Sequence, residues 1–319
     1  MTSRTLSNNL SARLITHATN QSYAIPAICI YTLSGITAVV RAANAAKSPA
    51  MILLFPSSSP LYEPAPTSST STRSSKPDPP PSHLVAQAAH TAALSSRVPI
   101  SVHLDHATSP SYIKSAADSG LYDSIMLDFS HHPPAENLAL TKEWTEYCHE
   151  RGIVVEAECG RIEGGEDGIQ ATSEEMEGLM TNVEEARQFQ AVGVDWLAPS
   201  FGNVHGKYGA QGPKLDFARL KSIRDAVGGE KGMRLVLHGT DGFDEELYKQ
   251  CVAAGIAKAN INRNVNDRLL QRWREGENGV VGTIEEGIEA MQEEVEKMMR
   301  WVGSKGMADG DGSRLRGET

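Results

Sequence analysis

Eight short apolar runs, separated by stretches with helical spacing, are the feature that most limits how this 319-residue chain can fold. Rich in Ile, Val and Leu, the runs cover residues 23–30, 50–55, 98–104, 122–128, 152–158, 194–200, 233–239 and 255–261. Near-continuous apolar strands that alternate with amphipathic helices predict a parallel sheet covered on both faces. Eight such units predict one α/β domain, a closed (β/α)8 TIM barrel.

An open doubly wound sheet is the competing architecture for strands and helices in this order. It would be favoured by a glycine-rich phosphate fingerprint, G-x-G-x-x-G, directly after the first strand. The sequence there reads ICIYTLSG, from Ile28 to Gly35, and does not contain that fingerprint. The barrel is therefore the predicted fold.

Two segments interrupt the alternation. Residues 56–82 are so rich in Pro, Ser and Thr that they cannot bury enough apolar surface to offset the entropy lost on ordering. We expect a disordered insertion there, between the second strand and its helix. Residues 303–319 have a similar character and predict a flexible C-terminal tail, which leaves 1–302 as a single barrel domain.

The charge balance limits the classes of partner. With 40 Asp and Glu against 30 Lys and Arg, the formal net charge is -10. This excess of negative charge disfavours unspecific attraction to nucleic acid and to anionic membranes. A small molecule or a protein is the expected partner, with no role for nucleic acid or a membrane.

The four cysteines, Cys29, Cys148, Cys159 and Cys251, have neither the spacing of a disulfide framework nor that of a zinc ribbon. Because a chain of this size does not depend on disulfides for stability, we expect a reducing compartment. The N-terminal residues lack a secretory apolar core, and no run approaches the roughly 20 apolar residues that cross a bilayer. These observations predict a cytoplasmic protein.

Acidic and imidazole side chains stand at the carboxyl ends of the predicted strands, where the active sites of such barrels lie. From the third strand to the seventh, these residues are Asp105, His106, Asp128, Glu156, Glu158, His205 and His238. Imidazole and carboxylate ligands from different strands suit a divalent metal such as zinc. Three protein ligands and one open position are typical of a catalytic zinc site.

Each histidine also has a simpler interpretation, because a single His at a strand end is more often a hydrogen-bonded core or loop residue. Three histidines on different strand ends favour a metal site over this simpler interpretation. His103 lies two residues before Asp105 and hence on the same side of an extended strand, either as its partner or as a layer of the interior. His131 and His132 fit turn chemistry as well as the mouth of a site.

Glycine-rich segments follow three of the strands. Residues 159–170, CGRIEGGEDGIQ, predict either a solvated loop or a mobile lid that carries Glu166 or Asp167 over a substrate. The segments GNVHGKYGAQG, from residue 202, and HGTDG, from residue 238, place histidines among glycines. Such glycines allow backbone amides to approach an anion closely.

Taken in order, the segments VHLDH, DSIMLDFSH, GIVVEAECGRIEGGEDG, GNVHGKYG, LVLHGTDG and GIAKANIN closely resemble the class II, metal-dependent ketose-bisphosphate aldolases. The resemblance runs from about residue 5 to 302, apart from the insertion. It implies a (β/α)8 barrel with one zinc ion per subunit, and leaves open a monovalent cation. It also implies a homodimer or homotetramer that reversibly joins dihydroxyacetone phosphate to an aldehyde, with a sugar phosphate as substrate.

The resemblance assigns roles to individual residues. The implied metal ligands are His106, His205 and His238, with Glu158 in an alternative, more buried position. Asp105 would be the acid/base that moves a proton on the hydroxyl of the cleaved carbon. Glu166 would exchange the proton at the nucleophilic carbon of the ketone phosphate. A metal that stabilises an enediolate makes a Schiff base unnecessary, so we interpret Lys258 on the eighth strand as structural.

Departures from the family pattern cluster around the substrate. The implied substrate-binding positions are Gly206, Gly239, Asp241, Asn260 and Arg263. Asparagine, serine and lysine, which are common in the family, are replaced here by Cys29, Pro56 and Gly209. Asp241 stands where a phosphate-binding hydroxyl is usual, and Arg263 stands at a phosphate-contacting threonine.

The aspartate at 241 leaves three arrangements open, because a carboxylate repels a phosphate dianion unless another charge compensates. Arg263 compensates, or the two residues pair and fill the phosphate site, or Arg263 grips a phosphate or carboxylate bidentately in a reshaped pocket. We expect altered substrate choice or reduced canonical activity.

Three functions are therefore carried forward. The leading one is a zinc-dependent aldolase-type lyase acting on a ketose (bis)phosphate. The second keeps the metal but takes an unphosphorylated or carboxylated substrate. The third is a catalytically silent scaffold that binds a metal or a partner, with residues 56–82 as its interaction arm.

Overall fold

The computed structural model describes residues 5–56, 83–160, 162, 180–206, 208–209, 212–229 and 232–308. Eight parallel strands follow one another around a closed barrel, and the first pairs with both the second and the eighth. The strands are β1 Ile25–Cys29, β2 Ala50–Leu54, β3 Ile100–Ala107, β4 Ser124–Leu127, β5 Val154–Glu158, β6 Trp196–Ala198, β7 Arg234–Leu237 and β8 Ile256–Ile261. The prediction of a (β/α)8 barrel is confirmed.

Helices alternate with these strands. The described helices are α1 Leu10–Asn20, α2 Leu33–Ala46, α3 Leu84–Ser95, α4 Pro110–Ser119, α5 Pro134–His149, α6 Val183–Ala191, α7 Phe217–Val227, α8 Glu245–Ala253, α9 Arg263–Glu275 and α10 Gly279–Trp301. The last two pack against each other and α10 also packs on α2. Within the described part of the chain, no helix combines the length and the apolar character that a membrane span requires.

Two apolar cores hold the barrel together. The larger lies between strands and helices and is formed by side chains such as Leu104, Val155 and Leu237. The smaller fills the barrel interior and includes Met51 and Trp196. Because side chains alternate along a strand, six of the strands supply both cores, whereas β3 and β4 supply only the larger one. This alternation explains why most strand sequences are almost continuously apolar.

Helix α1 closes the amino-terminal end of the barrel. Its residues Leu14 and Ile15 join the interior core and are buried. Asn9 caps the helix by accepting a hydrogen bond from the Ala12 amide, and its Nδ2 donates to the carbonyl oxygens of Asp123 and Gly152 at 2.7 and 2.8 Å. The barrel is therefore sealed at this end, and ligands have access from the carboxyl ends of the strands.

Near those carboxyl ends, the inward-facing side chains change from apolar to polar. Residues two apart on the same strand share the interior, and the pairs are His103 with Asp105, Glu156 with Glu158, and Lys258 with Asn260. All six are buried. So many buried polar and charged groups are costly unless they form hydrogen bonds and ion pairs with one another or with a ligand. This layer is therefore the candidate functional site.

The predicted tail begins later than residue 303. Ser304 is fully buried and its hydroxyl accepts a 2.7 Å hydrogen bond from Ser48, while the amides of Gly306 and Ala308 donate to the carbonyls of Ala46 and Lys47. These contacts attach residues 303–308 to the end of α2. Residues 309–319, and 57–82 of the predicted insertion, lie outside the described residues.

Candidate metal and catalytic site

Three histidines from separate segments converge at the carboxyl end of the barrel. The ring centroids of His106 lie 5.1 Å from those of both His205 and His238, and the latter two are 5.6 Å apart. One nitrogen from each ring lies within 4.8 Å of the others. A single ion can therefore contact all three rings.

His106 reaches this position through an irregularity in β3. Neighbouring residues of a regular strand point to opposite faces, so Asp105 and His106 would normally diverge. The pairing of β3 with β4 shifts register between Leu104 and Ala107, and His106 has a left-handed backbone with φ of 47°. A bulge of this kind re-aims a side chain, and it brings both residues to the mouth of the barrel.

Asp128, at the end of β4, fixes the ring of His106. Its Oδ2 lies 2.7 Å from His106 Nδ1, which leaves Nε2 to face the other two rings. Burial opposes protonation of His106, but the carboxylates of Asp105 and Asp128 outweigh it and raise the pKa of the imidazole to about 10. The surroundings therefore favour a positive charge here, whether a proton or a metal supplies it.

A buried relay orients His238. Its Nε2 lies 2.9 Å from Glu156 Oε1, and Lys258 Nζ donates to Glu156 Oε2 at 2.7 Å. Nδ1 of His238 then faces His205 Nε2 at 3.4 Å. Lys258 is fully buried in this ion pair. The arrangement matches the structural role that the sequence analysis gave this lysine.

His205 lies on the loop after β6, which passes close to the loop after β7. Gly239 has φ of 67°, and a Cβ there would lie 2.4 Å from the Val204 carbonyl oxygen. Only glycine fits this close approach without strain. Burial and the neighbouring imidazoles of His106 and His238 lower the pKa of His205 to about 3. The ring is neutral at physiological pH, as a metal ligand must be.

Glu158, at the end of β5, offers a buried carboxylate beside the histidines. Its Oε1 accepts a 2.7 Å hydrogen bond from the Ile162 amide, and Oε2 has no hydrogen-bond partner among the described residues. Burial, followed by repulsion from Asp128, raises the pKa of this carboxyl well above its ordinary value. A buried oxygen with no partner is costly, and a cation would satisfy it.

Asp105 lies next to the three rings and is held from two sides. Asn260 Nδ2 donates to its Oδ2 at 3.0 Å, and His103 Nε2 lies 3.5 Å from its Oδ1. Burial opposes ionisation, but the positive charge favoured at His106 and the contact with His103 keep the pKa of Asp105 well below its ordinary value. The carboxylate form is therefore the resting form.

A second group of possible ligands, formed by His103, Asp105 and Glu156, lies deeper in the barrel. Lys258 Nζ is 2.7 Å from Glu156 Oε2 and 3.5 Å from His103 Nε2. The lysine ammonium already supplies a cation to this group. The histidine cluster above it is the better metal site.

A cavity of about 620 Å³ opens among the segments that follow β6, β7 and β8. It is lined by Tyr208, Gly209, Gly212, Pro213, Asp241, Gly242, Arg263, Asn264 and Asp267. Arg263 is the first residue of α9, and its Nη2 lies 3.5 Å from Asp267 Oδ2. The strands and helix ends that form this cavity are those that often build a phosphate site in such barrels.

With this geometry in place, the comparison with protein families decides the assignment. The family model for class-II fructose-bisphosphate aldolase matches residues 9–307. The chain belongs to the class II fructose-bisphosphate aldolase family. It is an aldolase-type carbon–carbon lyase, and the resemblance stated from its motifs is confirmed.

Relatives of this class II aldolase match between about half and nearly all of its length. A Coccidioides immitis protein, provisionally named a fructose-bisphosphate aldolase, is 45% identical over 313 residues, which are 95% of this chain and 96% of that protein. The fructose-bisphosphate aldolase of Geobacillus stearothermophilus is 40% identical over 167 residues, or 52% of this chain and 54% of that one. A Coccidioides immitis crystal structure, provisionally named in the same way, has a TM-score of 0.82 and 45% identity, covering 94% of this chain and 98% of its own.

The predicted site residues of this class II aldolase fall into three groups. Those brought together at the barrel mouth are Asp105, His106, Glu158, His205, His238 and Asn260. Asp241 and Arg263 line the adjacent cavity, and Gly206 and Gly239 directly follow two of the histidines. Glu166 and Asp167 lie outside the described residues.

Asp128 and Glu156 were among the metal-like residues at the predicted strand ends, but the family resemblance gave neither a role. The structure pairs the first with His106 and the second with His238. These roles could have been predicted from the sequence, because a histidine that binds a metal usually donates a hydrogen bond from its other ring nitrogen to a carboxylate or carbonyl. His132, by contrast, pairs with Glu136 on the surface, so the turn interpretation describes it.

Proposed function

We propose that this class II aldolase is zinc-dependent and cleaves a ketose (bis)phosphate to dihydroxyacetone phosphate and an aldehyde, reversibly. The observation that carries the proposal is the convergence of three imidazoles beside one ionised carboxylate, Asp105. An aldol cleavage needs both a centre that stabilises negative charge and a group that accepts a proton.

The donor set fits zinc. Three imidazole nitrogens and a buried carboxylate oxygen without a partner are ligands that zinc prefers. His106, His205 and His238 would hold the ion, and Glu158 would offer its free oxygen in a more buried position. When bound, zinc supplies Lewis-acid stabilisation of the negative charge that develops on the substrate carbonyl oxygen.

Asp105 is the group that handles the proton at the cleaved carbon. As a carboxylate, it accepts the proton of the substrate hydroxyl while the carbon–carbon bond breaks and the bonding electrons pass to the ketone fragment. Its hydrogen bond from Asn260 and its contact with His103 hold the oxygen atoms in place for this transfer. In the condensation direction, the same group returns the proton to the new hydroxyl.

The proton at the nucleophilic carbon of the ketone fragment is exchanged by a second group. We assign this role to Glu166 on the resemblance of the segment 159–170 alone.

Substrate binding is assigned to the loops that follow β6, β7 and β8. Asn260 donates a hydrogen bond to Asp105, and Gly206 and Gly239 directly follow the proposed metal ligands His205 and His238. Arg263 would receive the phosphate of the ketone half from its position at the start of α9, where the helix dipole also favours an anion. Asp241 would lie close to that phosphate.

Cleavage assays with fructose and tagatose bisphosphates and simpler ketose phosphates test the proposal, with zinc content determined in parallel. We expect one zinc per chain and cleavage of at least one phosphorylated ketose, both abolished by EDTA and restored by added zinc. Activity that persists in fully metal-free protein would exclude this mechanism.

An unphosphorylated or carboxylated substrate is the second candidate, and the cavity composition favours it. Asp241 and Asp267 both line a cavity in which the described residues include one arginine, Arg263. Carboxylates beside a phosphate dianion are repulsive. Dihydroxyacetone compared with dihydroxyacetone phosphate as the condensation partner separates the candidates, because the second one predicts the larger kcat/KM for the unphosphorylated ketone.

We also propose a homo-oligomer, which is supported by exposed apolar residues near the start of α10. Val280, Val281 and Ile284 have exposed fractions of 78%, 81% and 40%. Leu33, at the start of the neighbouring helix α2, is 54% exposed. Light scattering should give at least twice the 34.4 kDa chain mass, and Val281→Asp should lower it. A wild-type monomer at micromolar concentration would contradict the proposal.

A further inference from the structure

Three aromatic rings stack in parallel from the side of the barrel to the candidate metal site. The Phe55 ring lies 6.1 Å from the His106 ring, centroid to centroid, with 7° between their planes. The centroid of the Tyr31 ring lies 5.9 Å from that of the Phe55 ring, with 8° between their planes. These separations are in the range of offset stacking. We call Tyr31, Phe55 and His106 the aromatic column.

The aromatic column restrains rotation of the His106 ring. The single contact with Asp128 leaves that rotation possible. The terminal torsion of a histidine has a broad energy minimum, so one hydrogen bond at Nδ1 tolerates a swing of the ring plane. Phe55 lies parallel to the face of the His106 ring, and the other two histidines meet the same ring edge to face, at 77° and 79°. A parallel neighbouring ring and two rings met edge to face thus limit how far the His106 ring plane can rotate.

The far end of the column is anchored on the start of α9. The Tyr31 hydroxyl donates to Asn262 Oδ1 at 3.2 Å, and Asn266 Nδ2 donates to the same oxygen at 3.2 Å. Asn266 Nδ2 also donates to the Cys29 carbonyl at 2.9 Å, which ties the helix to the end of β1. Phe55 is therefore backed by a ring that is itself held by hydrogen bonds.

We propose that Phe55 is a positioning residue for His106, which it holds in the plane that aims Nε2 at the candidate metal position. The proposal rests on the proposed zinc site. Phe55 acts through His106 and does not need to contact the substrate. Groups that orient metal ligands typically change metal affinity by 10–100-fold when they are removed.

Zinc affinity, measured by competition with a chromophoric chelator, tests the proposal without relying on activity. We expect Phe55→Leu to weaken zinc binding on the order of 10-fold and to shift the visible absorption of the cobalt-substituted protein. Phe55→Tyr keeps the ring and should restore the wild-type values. Phe189→Leu is the matched control, because it removes a buried ring in α6, a helix remote from the column, and should leave zinc affinity unchanged.

Two outcomes would overturn the proposal. Equal zinc affinity and cobalt spectra for the wild type and Phe55→Leu would show that the ring does not position His106. A wild-type protein that binds no zinc would overturn the proposed function and this inference with it. If Phe55→Leu does not fold, Tyr31→Leu removes the backing ring instead, and unchanged zinc affinity in that variant would equally reject the column.

Discussion

Asp128 Oδ2 and His106 Nδ1 lie 2.7 Å apart, and this contact determines which imidazole nitrogen faces the other two histidines. His106 lies in β3, and Asp128 directly follows β4, the strand that pairs with β3. The carboxylate also favours positive charge on the ring. We therefore expect Asp128 to contribute to metal binding without being a ligand.

Asp128→Asn should weaken zinc binding by about 10–100-fold while leaving the fold intact, because the amide neither fixes the tautomer nor supplies a negative charge. Competition with a chromophoric chelator measures the change. Glu136→Gln is the matched control, since it alters a surface His–carboxylate pair with His132. Equal zinc affinity in Asp128→Asn and the wild type would remove Asp128 from the site.

Asp105→Asn should retain zinc and lower kcat roughly 100-fold or more, as expected when an acid/base group is lost. The neighbouring Asn260 can still contact the amide, so the variant should fold normally. Turnover and zinc content measured on the same preparation test both the lowered kcat and the retained zinc. Wild-type turnover with full zinc occupancy would reject the role of Asp105 in proton transfer.

Lys258→Met should destabilise the barrel by about 3–5 kcal/mol, because Glu156 is left as a buried charge without its partner. Urea unfolding measures the free energy. The double variant Lys258→Met/Glu156→Gln removes both charges and should recover part of the loss. A single variant as stable as the wild type would show that the ion pair has no structural importance.

The metal-free protein should lose stability as the pH rises from about 7 to about 10. The pKa of His106 is raised to about 10, so its contribution is complete below the unfolded value near 6.5 and is lost as the pH rises toward 10. The pKa of Glu158 is also raised, so its contribution to stability likewise falls as the pH rises. The pKa of His205 is lowered, so its contribution is lost only as the pH falls below about 6.5.

Zinc provides the internal control for this pH dependence. A bound metal displaces the proton from His106, so the loaded protein should show a shallower slope of unfolding free energy over the same range. Urea unfolding at several pH values, with zinc and with EDTA, measures both slopes. Parallel slopes would indicate that His106 carries no proton that zinc replaces.

The fold was predictable from the sequence because apolar periodicity and chain order determine a barrel of parallel strands. Seven of the eight predicted runs contain a strand of the observed barrel, and the third, 98–104, overlaps β3, which extends to Ala107. The candidate ligands were predictable for a related reason: parallel strands end at one edge, so polar residues at their carboxyl ends meet there. His106, His205 and His238 do meet.

Other parts of the site depend on tertiary detail that no local pattern encodes. The bulge that turns both Asp105 and His106 into the site arises from the pairing of β3 with β4, not from the residues of β3 alone. The partners of His238 and Glu156 depend on which side chains the closed barrel places opposite one another. Phe55 looked like the end of an apolar run, and its parallel contact with His106 appears only in three dimensions.

Anomalous diffraction at the zinc edge, from crystals of the zinc-loaded protein, locates the metal and its ligands. We predict one peak per chain at about 2.0–2.1 Å from a nitrogen of each of His106, His205 and His238, beside Asp105. A peak bound by other residues, or no peak between these three rings, would contradict the account.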